Sequence, residues 1–218
     1  MIKLKKIYKS FPNTKLFEEI NLEINSWEVI SLIWPSGSGK STLLNIISWL
    51  DMDYAWDIEV WNKSLKKIKS DEEVTKFRWE NISFIFQNFN LIENLTVEEN
   101  IDLVIDINKI ERNYETDEII KLVWLENKTK QYPFNLSWWE KQRVAVARAF
   151  VWKSKLLLAD EPTWSLDIEN TKKIVSLIKK LNKKTKNTVI LITHDLEVAK
   201  IWDRIFELKD YKLIKKHV

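Results

Sequence analysis

The stretch that decides the fold is Trp34-Pro35-Ser36-Gly37-Ser38-Gly39-Lys40-Ser41. It follows a short apolar run over 29–34 and precedes helical spacing of apolar residues over 40–50. Apart from its first residue, it matches the phosphate-binding pattern G-x-x-x-x-G-K-[ST]. In such a loop, backbone N–H groups and the start of the following helix bind phosphate oxygens, the lysine reaches the β- and γ-phosphates, and the Ser41 hydroxyl ligates Mg²⁺. The stretch predicts nucleotide binding, because the flanking strand and helix disfavour a Ser/Gly loop with an incidental lysine.

Strand and helix patterns alternate around this loop. Residues 94–151 are mostly helical in pattern, and an amphipathic helix is predicted over 172–181. The bounded apolar runs 156–159 and 189–193 are typical of buried parallel strands. The predicted strands cover 2–8, 20–25, 29–34, 58–60, 82–86, 156–159 and 189–193. This order indicates an α/β fold with a mostly parallel sheet.

Two adjacent carboxylates, Asp160 and Glu161, follow the apolar run 156–159. In a phosphate-loop enzyme the first carboxylate holds Mg²⁺, directly or through water, and the second can polarise the attacking water. An acidic pair at a strand end is a weak signal alone, since a solvated strand end looks the same. Downstream of a phosphate loop it favours ATP hydrolysis.

Composition narrows the class of protein. The 218 residues carry a net charge of +3, well short of the basic excess of a nucleic-acid-binding protein, so we expect no nucleic-acid partner. There is no cysteine, which excludes disulfides, thiolate metal sites and cysteine nucleophiles. Because no apolar run is long enough for a signal peptide or a membrane span, we expect a cytoplasmic protein that reaches a membrane only through a partner.

Together with Leu136-Ser137-Trp138-Trp139-Glu140, these motifs resemble the ATP-binding subunits of ABC transporters, whose signature is L-S-G-G-[QE]. The resemblance covers nearly the whole chain, and its motifs are in order. Gln87 resembles the Q-loop, Asp167 the D-loop, and His194 the switch histidine. The sequence 161–167, if Trp164 stood for glycine, resembles the branch of macrolide exporters and lipoprotein-release systems. Asn88 to Leu91 agree with that branch.

The resemblance implies a P-loop NTPase fold with a mostly parallel sheet, an N-terminal antiparallel β subdomain and a helical subdomain over about 90–150, in a single nucleotide-binding domain spanning 1–218. It implies catalysis by Glu161, which activates water, His194 and Lys40, and Mg²⁺ ligation by Ser41, Gln87 and Asp160. Phe11 would stack on adenine, although it could simply be a core residue. Contacts to ATP are implied for Phe11, Trp34, Pro35, Ser36, Gly37, Ser38, Gly39, Lys40, Ser41, Thr42, Gln87, Ser137, Trp138, Trp139 and Glu140.

The function that the resemblance implies is ATP hydrolysis in a head-to-tail homodimer around two ATP molecules, which drives an integral membrane permease. The protein would be peripheral on the inner face of the cell membrane. One alternative is an ABC ATPase without transport, of the cell-division type. The transported substrate and the direction of transport are left open, because the permease largely selects them.

The chain has twelve tryptophans and two glycines, against an expectation of about fifteen glycines at the average usage of roughly 7%. Six tryptophans fall where this family carries glycine: Trp27, Trp34, Trp56, Trp138, Trp139 and Trp164. We hypothesise that codons read as glycine in the source cell, such as UGA under a different genetic code, stand here as tryptophan. The competing hypothesis is a catalytically dead domain with genuine tryptophans. Under the first hypothesis, Trp34, Trp138, Trp139 and Trp164 should have backbone that suits glycine, and Trp34 should be strained where the chain reverses.

Overall fold

The computed structural model describes residues 1–12, 14–34, 38–51, 55–61, 63–64, 70–108 and 110–216. The chain divides into two compact units, of which the first comprises Met1–Ile82 with Thr188–Val218 and the second Ser83–Asn187. The residues 90–150, for which the sequence predicts a helical subdomain, fall within the second unit.

Strands and helices alternate through much of the chain. The strands are β1 Ile2–Phe11, β2 Thr14–Ile24, β3 Val29–Ile33, β4 Ala55–Val60, β5 Lys63–Ser64, β6 Ile82–Ile85, β7 Leu156–Asp160, β8 Thr188–Thr193, β9 Arg204–Lys209 and β10 Lys212–Lys216. The α-helices are α1 Lys40–Ile47, α2 Asp71–Asn81, α3 Val97–Asn108, α4 Thr116–Leu122, α5 Trp138–Phe150, α6 Ile168–Thr185 and α7 Leu196–Ala199. None of the helices in the described ranges has both the length and the apolar composition needed to cross a bilayer.

The first unit begins with an antiparallel sheet in the order β2-β1-β4-β5, which confirms the N-terminal antiparallel subdomain. In β2, buried Ile20, Leu22 and Ile24 alternate with less buried neighbours, as expected for a strand with one face on a core. Register shifts interrupt the pairing of β1 with β2, and Glu19 has a positive φ of 57°. These irregularities break the period-two pattern of the first half of β2. The sequence pattern therefore predicts a start at residue 20, whereas the strand begins at Thr14.

The phosphate-loop candidate extends from a parallel part of the first unit. Four strands follow the order β10-β9-β3-β8, and β3 pairs in parallel with both β8 and β9. Every residue of β3 and β8 is buried, which explains why both strands are continuous apolar runs in the sequence. The prediction of a mostly parallel sheet is confirmed, and the register places the ends of β3 and β8 side by side, with Ile33 opposite Thr193.

In the second unit, β7 lies next to β6, and helices α3, α4, α5 and α6 supply most of the remaining core. Helix α5 buries every residue from Gln142 to Phe150. Helix α6 begins at an N-cap, Asp167, whose carboxylate accepts a hydrogen bond from the Asn170 N–H, and it ends at Lys186 in left-handed backbone. The helix is longer at both ends than the predicted range 172–181, because the capping residues and not the apolar periodicity set its boundaries.

Candidate nucleotide site

The connection between β3 and α1 carries the phosphate-binding motif. Of the predicted ATP contacts, Pro35, Ser36 and Gly37 lie outside the described residues. Gly39 has φ +89°, and a Cβ built on it would lie 3.0 Å from Leu16 Cδ1 and 3.2 Å from Phe17 Cζ. The left-handed conformation favours glycine, and a Cβ would press against the ends of these two side chains. Helix α1 begins at the next residue without a capping side chain, so its first N–H groups form the type of helix terminus that binds phosphate.

Trp34, the first residue of the motif, does not have the strained backbone that we expected. Its φ is not positive, and its N–H donates to Thr193 O at 3.2 Å, which continues the parallel pairing of β3 with β8. The indole is 1% exposed, meets Phe17 edge-on at 5.8 Å and donates from Nε1 to Ser38 O at 3.2 Å. The expectation of strain is wrong because Trp34, one residue after β3, is still hydrogen-bonded to β8 and does not have the positive φ at which a Cβ is disfavoured.

The predicted switch residue lies close to this loop. His194 is the residue after β8 and is exposed, and its neighbour Thr193 accepts the Trp34 N–H. Asp195 caps α7 by accepting the N–H groups of Glu197 at 2.8 Å and of Val198 at 3.4 Å. This cap anchors the backbone on the C-terminal side of His194. The parallel pairing and the cap together hold His194 at the strand edge from which the loop leaves.

The other predicted residues of the first unit are accessible to a ligand. Lys40 and Thr42 are partly exposed and Ser41 is exposed, all in the first turn of α1. Phe11 is 50% exposed at the end of β1, and Lys9 Nζ lies 5.5 Å from the centre of its ring. The alternative of a core residue is therefore disfavoured for Phe11, because a half-exposed ring leaves a face on which a base can stack.

In the second unit, Asp160 ends β7 and Glu161 follows it. The Glu161 side chain is 5% exposed, and its φ is 46°. Its carbonyl accepts the N–H of Trp164 at 3.1 Å, which closes a tight turn after the strand. A non-glycine residue in left-handed backbone is strained by about 1–3 kcal/mol, and such strain concentrates at functional sites. The turn therefore holds the backbone of Glu161 in a defined conformation directly after the strand.

The segment after β6 carries Gln87, which is partly buried. Phe89 and Asn90 follow it with φ of 59° and 49°. The guanidinium of Arg148, on α5, donates at 2.6 Å to both of their carbonyls, from Nη2 to Phe89 O and from Nη1 to Asn90 O. Burial lowers the pKa of Arg148 to about 10, well below its usual value. Arg148 thus fixes an unusual backbone segment two residues after Gln87.

The signature segment forms the start of α5. Ser137 is its N-cap: Oγ accepts the Glu140 N–H at 3.3 Å, while the Glu140 carboxylate accepts from Ser137 N–H at 2.8 Å and from its hydroxyl at 2.7 Å. Burial alone would raise the pKa of Glu140, but the hydrogen bonds from Ser137 and the pairing with Lys128 hold it below its usual value. Serine is therefore kept at the helix start by a capping box.

Both signature tryptophans have ordinary backbone. Trp138 and Trp139 are the first two residues of α5, and neither they nor Trp164 has a positive φ. The expectation of glycine-like backbone at these positions is wrong. Trp138 is 62% exposed and lies 5.3 Å from the Phe89 ring, and the Trp139 ring lies 5.0 Å from the Arg143 guanidinium. The start of α5 is thereby in contact with the segment that follows Gln87.

Two arginines are structural parts of this region that the motif did not reveal. Arg143 donates from Nη1 to Val123 O at 2.7 Å and to Trp124 O at 2.5 Å, which satisfies the end of α4. Arg148 acts in the same way on the segment after Gln87. From the sequence alone, the stripe 142–150 predicts only ordinary helix packing. The available signal is that two of the five arginines of the chain fall in the otherwise apolar stretch 143–150.

A phosphate loop between a buried parallel strand and a helix, together with an acidic strand end and a capped signature helix, defines an ATP-binding cassette. The ABC transporter family matches residues 17–164. The chain belongs to this family and is an ATP-binding, ATP-hydrolysing protein of it.

Relatives in the family cover nearly all of the chain. A solved dimeric structure of the ATP-binding cassette MJ0796 of Methanocaldococcus jannaschii, in a post-hydrolysis state with ADP and Pi, superposes with a TM-score of 0.86 at 37% identity, over 99% of this chain and 98% of that one. The lipoprotein-releasing system ATP-binding protein LolD of Bacteroides thetaiotaomicron is 37% identical over 96% of this chain and 97% of its own length. The methionine import ATP-binding protein MetN of Clostridium tetani is 42% identical over 92% of this chain, which spans only 63% of MetN.

Proposed function

We propose that the chain is the ATPase subunit of a membrane transporter of the exporter or lipoprotein-release type, and that it works as a homodimer closed around two ATP molecules. The observation that carries the proposal is the phosphate loop, in which Gly39 is required by its conformation and leads directly into an uncapped helix start. The similarity to LolD, and to a cassette solved as a dimer, supports the transporter and dimer parts.

The chain's own residues take the following roles in this proposal. Lys40 and the start of α1 bind the phosphates, and His194 contacts the γ-phosphate. Glu161 orients water for in-line attack and accepts its proton. Ser137 and the backbone at 138–139 meet the ATP of the partner subunit. Phe11 stacks on adenine. Pro35, Ser36, Gly37, Ser38, Gly39, Thr42 and Glu140 complete the proposed contacts.

Mg²⁺ fits the donors proposed for it. The Ser41 hydroxyl, the Gln87 amide and the Asp160 carboxylate supply hard oxygen ligands, which this cation prefers, and phosphate oxygens and water complete such sites. When bound, Mg²⁺ neutralises charge on the β- and γ-phosphates. Asp160 is the anionic member of this set, so we expect its replacement to weaken nucleotide binding more in Mg²⁺ than in EDTA.

The central test is Glu161→Gln. The amide keeps the size of the side chain but cannot accept the proton of water, so hydrolysis should fall by about 10²–10⁴-fold while ATP binding persists. Light scattering after gel filtration with MgATP should then show a stable dimer. The matched control is Glu111→Gln, at a side chain that is 74% exposed and pairs with Lys153, and it should hydrolyse ATP at the unaltered rate. Unaltered hydrolysis in Glu161→Gln would contradict the assignment of the base.

A second candidate is the ATPase of an importer, which the 42% identity to MetN favours. The two candidate functions can be distinguished by the permease that accompanies the chain. The chain would be purified from its own cells in mild detergent with MgATP, and the permease that co-purifies would be identified. An exporter or lipoprotein-release permease supports the proposal, and a methionine-import permease supports the alternative.

A further inference from the structure

Four tryptophans have backbone conformations that glycine favours. Trp27, Trp49, Trp61 and Trp124 have φ of 68°, 63°, 47° and 55°. Among all other described residues apart from glycine, which are far more numerous, only eight have positive φ. Left-handed backbone is disfavoured by about 1–2 kcal/mol for a residue with a Cβ. A third of the tryptophans therefore share a rare conformation, which requires an explanation.

Trp49 is the residue that follows the cap of α1. Its N–H donates to Ile46 O at 3.1 Å, and the next N–H, of Leu50, donates to Asn45 O at 2.7 Å. This pair of bonds is the Schellman motif, which ends a helix with one residue in left-handed backbone. That residue is usually glycine, and here it is Trp49.

Helix α4 ends with the same motif. The Trp124 N–H donates to Lys121 O at 3.1 Å, and the Leu125 N–H donates to Ile120 O at 3.0 Å. Trp124 again holds the left-handed position. Two unrelated helices thus place tryptophan at the position of a helix end where glycine is most enriched.

Trp27 and Trp61 lie in tight turns that also call for glycine. A hydrogen bond of 3.3 Å between the ends of the turn 25–28 places Trp27 third of four residues, where positive φ selects glycine. Val60 pairs with Lys63 in the hairpin of β4 and β5, and Trp61 directly follows Val60. In two-residue hairpin loops, both favoured turn types need positive φ at the first residue, and Trp61 has φ 47°.

Several indoles also lack the surroundings that tryptophan normally has. The Nε1 atoms of Trp49 and Trp202 are buried and have no hydrogen-bond partner among the described residues, although a buried indole N–H usually finds one. Five other indoles are half exposed or more: Trp27, Trp79, Trp124, Trp138 and Trp164. Burial in a core therefore does not account for these five positions.

We propose that the source cell inserts glycine at the twelve positions written here as tryptophan, and that their codons are UGA. Glycine relieves the strain at Trp27, Trp49, Trp61 and Trp124 and removes the unpaired indoles. It also leaves the first N–H groups of α5 open behind Ser137, where the proposed partner ATP would bind. The proposal concerns the identity of residues and does not depend on the proposed transport function.

The test is peptide mass spectrometry of the protein purified from the cells that carry the gene, not from a recombinant host. Tryptic peptides 122–128 and 131–141 contain Trp124 and the pair Trp138-Trp139. Each should be lighter than its written sequence by about 130 Da per tryptophan, because glycine has no side chain. The matched control is the tryptophan-free peptide 174–179, whose mass should be unchanged.

A tryptophan mass in either peptide would overturn the proposal, as would UGG at these positions in the gene. Glycine masses with UGA codons would establish it. Neither readout depends on ATP hydrolysis, so a failure of the proposed function and a failure of this proposal are separate results.

Discussion

The conformation of Trp124 should reverse the usual order of stability between alanine and glycine variants. In helices, alanine stabilises more than glycine does. Trp124, however, has φ 55° at the residue after the cap of α4, and its side chain is 52% exposed. Truncation here removes little buried area, so the effect of the backbone dominates. We expect Trp124→Gly to be more stable than Trp124→Ala, because only glycine adopts this φ without penalty.

The matched comparison is Trp79, which is 50% exposed in the last turns of α2 and has ordinary helical backbone. There, Trp79→Ala should be more stable than Trp79→Gly by about 1 kcal/mol. At Trp124 the difference should have a similar size and the opposite sign, about 1 kcal/mol in favour of glycine. For a chain of this length, 1 kcal/mol corresponds to a shift in melting temperature of about 2–4 °C.

Thermal unfolding followed by circular dichroism, on the four single variants in one buffer, measures both differences. Because each comparison is between glycine and alanine at one site, loss of the indole cancels. If alanine is the more stable residue at both sites, the left-handed conformation of Trp124 does not exist in solution and the reasoning fails.

Three further variants test other parts of the structure. Arg148→Met leaves two carbonyls without their donor and should lower the free energy of unfolding by about 3 kcal/mol in denaturant titrations. Arg148→Lys should recover part of this loss. An unchanged unfolding midpoint in both variants would refute the role of Arg148 in holding the segment after Gln87. Gly39→Ala should lower the melting temperature by about 4–8 °C, from about 2 kcal/mol of strain, and weaken binding of a fluorescent ATP analogue. Glu140→Gln keeps an acceptor for the capping box but removes the charge at the start of α5 and the pair with Lys128, so it should lower stability by about 1 kcal/mol at neutral pH. Because the folded pKa of Glu140 is depressed, this difference is present above its ordinary pKa and should vanish as the pH falls through the folded value; a constant difference would contradict the role of the charge.

The sequence predicted those strands whose burial is continuous. Strands β3 and β8 are buried on both faces, so their apolar runs identify them directly. Helix α2 and the hairpin of β9 and β10 were not predicted. Helix α2 has only Val74 and Phe77 as apolar buried residues, so its start depends on the Ser70 cap rather than on an apolar stripe. Short hairpin strands such as β10 are mostly exposed and carry little hydrophobic pattern.

The candidate site was predicted as a set of motifs, but its supporting contacts were not. A motif gives the order of residues such as Gln87 and Ser137, because the chemistry of phosphate limits the residue types. It does not show that Arg148 holds the segment after Gln87, because that contact joins residues almost sixty positions apart. Trp34 was predicted wrongly for a related reason: the loop pattern requires a small residue, but the parallel pairing with β8 sets its backbone.

Eight of the twelve tryptophans fall into two groups, in which the proposed glycine would act through different physical effects. One group has positive φ, so a side chain there strains the backbone of the free subunit: Trp27, Trp49, Trp61 and Trp124. Another group has ordinary backbone in the proposed ATP and dimer motifs, where only the close approach of a ligand or partner would call for glycine: Trp34, Trp138, Trp139 and Trp164. Replacement by glycine in the first group should therefore change thermal stability. Replacement in the second group should change ATP affinity and dimer formation, with an effect on stability set mainly by lost burial at Trp34.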